Sequence, residues 1–141
     1  MTPSRREFIG LAGSALALAA LHFPVTPSAA ASALAARSSD ANGVRVVVTP
    51  KPADPGTGWT FEVVMDTHTQ PLDADLTKVS VLIDDAGRRY LPLSWQGDPP
   101  GAHHRKGALR FATESADIKS FELQIEGVGG TSKRVFQWTI K

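Results

Sequence analysis

The chain has 141 residues, with 15 lysines and arginines against 14 acids, and it contains no cysteine. Without cysteine there are no disulfides, thiolate metal sites, iron–sulfur clusters, covalent haem links, cysteine nucleophile or lipid-modified cysteine anchor. The near balance of charge argues against electrostatic binding to nucleic acid or to an anionic membrane.

The first residues concern cellular address. Ser4–Gly10 reads SRREFIG, and an apolar stretch follows to Phe23. A basic segment before an apolar one is what an export signal requires. The charge stays at the cytoplasmic face while the apolar part enters the bilayer. The pattern resembles the twin-arginine (Tat) signal, with Ile9 where leucine is usual. That resemblance implies Arg5, Arg6 and Phe8 as export-signal residues, the Tat translocase as partner during export, and a periplasmic or secreted product. The alternative is an N-terminal anchor helix. Against it, glycine, serine and histidine interrupt the apolar stretch, which falls short of the roughly 20 residues that span a bilayer. Small-x-small sites at Ala31-Ser32-Ala33 and Ala33-Leu34-Ala35 suit cleavage. The expected division is a signal peptide over 1–33, a flexible lead-in over 34–43 and one domain over 44–141. Arg5, Arg6 and Glu7 leave with the signal, so the remaining domain is formally neutral. No nucleic-acid partner is expected, and no membrane contact once the signal is removed.

Beyond the signal the period of the apolar residues is two. Val44, Val46 and Val48 share a face, and then Trp59, Phe61, Val63 and Met65 do so in the next segment. Val79, Val81 and Ile83 follow, and then Leu91, Leu93 and Trp95, where Pro92 marks an edge strand. Leu109 aligns with Phe111, and Phe121 with Leu123 and Ile125. Phe136, Trp138 and Ile140 close the series. Proline–glycine and aspartate–glycine stretches separate these segments. Seven short strands, each with one apolar face, predict an all-β fold: a seven-stranded antiparallel immunoglobulin-like β-sandwich after the N-terminal signal segment. A small closed barrel is the competing architecture. All three tryptophans fall on apolar strand faces, which suits core packing better than a sugar platform.

The histidines of the domain, His68, His103 and His104, fall in loops or at strand ends. His68 has the outward parity of Asp66, counting by twos from Trp59. Neutral imidazole suits copper and zinc, and with Asp66 the three histidines could complete a four-ligand site. Adjacent His103 and His104 point to opposite sides of extended backbone, however, and a His-His pair lacks the spacing of an established zinc motif. Arg105 and Lys106 in the same turn, PPGAHHRKG, suggest organic-anion binding. Asp73 and Asp75 with Asp66 lack the ligand ladder of a calcium loop. No nucleophile elbow, phosphate loop or dinucleotide fingerprint is present, and no catalytic residue is expected.

The stretch from Asp66 to Phe111, with its THT turn and its GAHHRKGALRF segment, resembles small uncharacterised exported bacterial domains. Ala102 stands where they carry glycine. The resemblance implies that His68 and the His103–Arg105 turn belong to one site. The strand pattern around DDAGRRY is also similar to exported immunoglobulin-like domains of the mycobacterial immunoprotective-protein type. Two functions follow as expectations for this non-enzyme. One is a module binding copper or zinc at the histidine end. The other is an interaction module that joins a protein partner through a sheet edge or loop face, its histidines simply solvated. The export signal yields a first prediction. Replacing Arg5 and Arg6 together by lysine is expected to hold the precursor in the cytoplasm on fractionation. Unchanged export through the general secretory route would overturn the assignment.

Overall fold

The computed structural model describes residues 33–51, 58–113 and 117–140. The predicted export residues Arg5, Arg6 and Phe8 lie outside these. The order is β1 (Arg37–Ala41), β2 (Val44–Lys51), β3 (Trp59–Thr67), one helical turn α1 (Leu76–Val79), β4 (Ser80–Asp84), β5 (Arg89–Tyr90), β6 (Pro92–Gly97), β7 (His104–Phe111), β8 (Ser120–Glu126), a 3-10 turn (Val128–Gly130) and β9 (Lys133–Thr139). The strands form two antiparallel sheets, β1-β2-β3-β7-β6 and β5-β4-β8-β9. The fold is all-β. Two separate sheets replace the closed barrel among the described residues.

Alternation decides what goes inside. Val44, Val46, Val48, Phe61, Val63, Met65, Leu109 and Phe111 of the larger sheet meet Leu82, Phe121, Leu123, Ile125, Phe136 and Trp138 of the smaller one in a single core. Phe61 joins the layers. Its ring sits edge-on to Phe111 of its own sheet and to Phe121 of the facing sheet, with centroids 5.7 and 5.5 Å away. Trp138 is buried and donates its indole N–H to the carbonyl of Ala35 at 2.8 Å.

Four expectations need correction. First, the seven-strand count becomes nine among the described residues, because β1 and β5 are additional. β1 occupies half of the segment expected as a flexible lead-in over 34–43. It pairs with β2 from Arg37↔Val48 to Ala41↔Val44, through the tight turn at Asn42 and Gly43, both at positive φ. Second, β4 turns Ser80, Leu82 and Asp84 inward, opposite Ile125, Leu123 and Phe121, rather than Val81 and Ile83, while Val79 packs against the core from the preceding α1 turn. The α1 turn runs directly into β4. Asp75, considered as a calcium ligand, instead caps that turn, accepting from the Thr77 N–H at 3.0 Å. Third, Trp59 and Trp95 are only half-buried and flank the core. Fourth, Leu91 and Leu93, expected inside with Trp95, are 74% and 64% exposed. Pro92 faces Phe111 and Ser94 faces Arg110, so β6 advances two residues while β7 advances one. Leu93 is the extra residue of that bulge, and a bulge re-aims the side chains around it.

The polar Asp84 is tolerated inside because its own turn satisfies it. Its carboxylate accepts from the backbone N–H groups of Ala86 and Arg88, from Arg88 Nε and from the Tyr90 hydroxyl, all at 2.8–2.9 Å. Burial pushes this carboxyl up, but the combined hydrogen bonds from Arg88, Tyr90 and Ala86 hold it below its ordinary 3.8. A carboxyl depressed in the folded state stabilises the fold above its unfolded pKa, and that stability is lost as pH falls through the folded value. Folding stability is therefore expected to fall as pH drops below 3.8. Urea titrations across this range should show a shallower acid dependence in Asp84→Asn. An unchanged slope would contradict the cage.

Candidate functional site

Four connections converge at one end of the two sheets: the β1–β2 turn, the β3–α1 loop (68–75), the β6–β7 loop (98–103) and the 3-10 turn before β9. Thr67 starts the stitching. Its hydroxyl donates to the Gly43 carbonyl and its N–H to the His103 carbonyl, both at 2.9 Å. Leu72 and the 101–102 peptide exchange main-chain bonds, Leu72 N–H to Ala102 O and Gly101 N–H to Leu72 O, each at 3.1 Å. Gln70 donates to the Asn42 carbonyl at 2.9 Å, and Asn42 donates to the Thr131 hydroxyl at 3.3 Å.

Two buried arginines complete the tie. Arg105, 1% exposed, donates from Nη1 to the carbonyls of Leu72 and Ala74 at 3.0 and 2.8 Å and from Nε to that of Asp98 at 3.4 Å. Its guanidinium lies 5.6 Å from the centre of the Trp95 ring. Arg134 reaches from β9 to the carbonyls of Ser39, Ala41 and Val128 at 2.9, 3.0 and 3.2 Å. Burial pushes both guanidinium pKa values down. Asp75, Asp98 and Asp73 push back at Arg105, and Asp40 does so at Arg134.

Each predicted site residue can now be placed. The DTHTQ and GAHHRKG segments lie side by side. Asp66 and His104 face each other across β3 and β7, and His104 Nδ1 meets Asp66 Oδ1. His68 and His103 are exposed and stand outside that pair. Among the described residues no group of three or more histidines and acids is placed to hold a metal ion. Of the four predicted ligands His68, His103, His104 and Asp66, only His104 and Asp66 are in contact among the described residues. Arg105 and Lys106 do not converge on an anion either. Successive side chains of β7 take opposite faces, which sends Arg105 into the core and Lys106 into solvent.

The outer face at this end is a charge row. Asp40 faces Arg45, Arg45 faces Asp66, and Asp66 faces His104. Asp40, Arg45, Asp66 and His68 border a shallow groove of about 490 Å³. Opposite charges alternate along it, so the groove carries no dominant sign.

The site that sequence reasoning missed lies along the side. β1 and β9 border each other on one flank, where Arg134 bridges them. On the other flank the edges are β5 and β6, joined by Leu91 alone. Leu91 and Leu93 are the most exposed large apolar side chains among the described residues. Pro92 was the available signal, since proline in a strand segment marks an edge, but the bulge that turns the leucines outward has no sequence signature. Comparison with family models, with curated proteins and with solved structures finds no match.

The arginine tie predicts a local effect. Arg105→Met leaves the Ala74 carbonyl without its donor and the Leu72 carbonyl with the Gly101 N–H alone, at a cost of about 1–3 kcal/mol for the acceptor left unpaired. Chemical denaturation is expected to register the loss. Amide exchange at Leu72 and Gly101 should rise more than in β8. Arg105→Lys should not restore it, because a lysine ammonium is a point charge without the guanidinium fork that spans several acceptors. Equal exchange in all three proteins would show that the loops do not depend on Arg105.

Proposed function

We propose that this protein is an exported, non-catalytic interaction module that joins a partner through its β5/β6 edge. The observation that carries the reading is the outward placement of Leu91 and Leu93 at the bulge of an edge strand. Exposed apolar side chains on an edge mark an interaction site or an aggregation hazard, and proteins normally guard such edges. The export part rests on SRREFIG and places the processed protein in the periplasm or outside the cell after passage through the Tat translocase.

The finer fold reading is immunoglobulin-like. Labelling the seven predicted strands A to G in chain order makes β2-β3-β7-β6 an A-B-E-D sheet and β4-β8-β9 a C-F-G sheet. In that frame β1 precedes A and β5 follows C at the flank. The four tied connections then form one loop-bearing end, and the leucines lie on the flank of strand D.

Leu91→Ser/Leu93→Ser is expected to keep the melting temperature of the parent protein, because neither side chain contributes to the core. A loss in the range of core truncations, about 2–5 kcal/mol for leucine, would make the leucines structural and remove the docking reading. Zinc or copper titration of the metal-stripped protein separates the ion-binding reading. A rise in melting temperature that disappears when His68, His103 and His104 are all alanine would overturn the interaction module in favour of a metal site.

A further inference from the structure

We propose that the β5/β6 edge receives an extended acidic and apolar segment of another protein as an added strand, an inference that rests on the edge reading above. The main chain is set for it. Asp98 N–H donates to Lys106 O at the close of the β6–β7 hairpin, at 3.0 Å. Antiparallel bonding alternates along a strand pair. The bonded positions of β6 are therefore Gln96 and Ser94, opposite Ala108 and Arg110, while the main-chain groups of Trp95 and Gly97 face away from the sheet. α1 packs beside β6, but no main-chain hydrogen bond joins the two among the described residues. Pro92 has no N–H, so pairing with an incoming strand starts at Trp95 and the leucines beyond it are met by side chains.

The charge of the edge selects the partner. Residues 89–97, RYLPLSWQG, contain no acid. Arg89 is exposed at the head of this stretch, and Arg110 stands on the outer face opposite Ser94. Neither arginine forms an ion pair with a described residue. Two cations thus flank two exposed leucines. A second copy of the chain answers them poorly. Its nearest acid is Asp98, whose Oδ2 already accepts the Lys106 N–H at 2.9 Å. A strand alternating apolar and acidic residues answers both, placing apolar groups on Leu91 and Leu93 and carboxylates toward Arg89 and, across the small Ser94 of β6, toward Arg110 of β7.

Capped eight-residue peptides alternating valine with glutamate, or valine with lysine, test the proposal against the purified protein. The glutamate peptide is expected to bind at least about tenfold tighter than the lysine peptide, with affinity falling as salt rises. It should also slow amide exchange at Trp95 and Gly97. Arg89→Glu/Arg110→Glu should reverse the preference, and Leu93→Ser should weaken the glutamate peptide while leaving the fold intact. Equal binding of both peptides, binding of neither, or a preference indifferent to the arginine variants would overturn the acidic-strand proposal. A dimer in sedimentation equilibrium that Leu93→Ser dissolves would also overturn it, while preserving the edge as an interface. Failure of the edge reading itself would show differently, as destabilisation by Leu91→Ser/Leu93→Ser.

Discussion

Much of this structure depends on burying two guanidinium groups without a carboxylate on either. Taking an isolated charge out of water is among the costliest steps a fold can make, and a guanidinium has five N–H groups to satisfy. Arg105 and Arg134 solve this with main-chain carbonyls, which are available wherever a loop turns its oxygens inward. Arg105 takes those of Leu72, Ala74 and Asp98, and Arg134 takes those of Ser39, Ala41 and Val128. The acceptors belong to separate segments, so each arginine makes the position of one loop a condition for another. Arg134 Nε remains buried without a partner, so the carbonyls within reach satisfy its two Nη groups but not every donor of the guanidinium. In a chain with no cysteine, this carbonyl tie does for the loop end what a disulfide does in many exported domains.

The same packing explains why the flank differs from the end. Gly107 lets the Trp95 indole lie against the β7 backbone. A Cβ there would fall 2.6 Å from Trp95 Cζ2 and 2.7 Å from Gly97 Cα. Trp95 is seated over Gly107 and near Arg105, and the bulge just before it breaks the alternation of β6, so that Leu93 and Leu91 leave the phase of the core. Pro92 and the bulge are features that limit indiscriminate edge pairing. They shorten the accessible ladder to Trp95 and Gly97 and leave recognition to side chains, a combination that favours one kind of strand over many.

How much of this was legible in the sequence depended on whether a feature followed from local period. Phe61, Val63, Phe121, Leu123, Phe136 and Trp138 alternate without interruption, and all are buried. The alternation of β4 misled because Ser80 and Asp84 look like surface residues. The turn that follows, through Ala86, Arg88 and Tyr90, satisfies the Asp84 carboxylate and makes it tolerable as an inward position, which the alternation alone does not reveal. β1 was illegible for a related reason. Arg37–Ala41 has no apolar face of its own, and it is held by pairing to β2 and by a guanidinium from β9, a residue distant in sequence.

The run His103–Lys106 shows why a cluster in sequence is a poor guide to a cluster in space. Two imidazoles and two cations side by side invite a single site, yet the onset of β7 distributes them. His103 stays in the loop and lends its carbonyl to Thr67, and His104 pairs outward with Asp66. Arg105 goes inward to tie the loops, and Lys106 returns to solvent. Strand alternation thus turns one apparent binding motif into an anchor, a cross-strand pair and two solvated groups. The converse holds on the flank. Arg89, Leu91, Leu93 and Arg110 are spread over more than twenty positions and suggest nothing together in sequence, but β5 and the bulge of β6 bring the first three to one flank, and the register with β7 sets Arg110 one strand in from it.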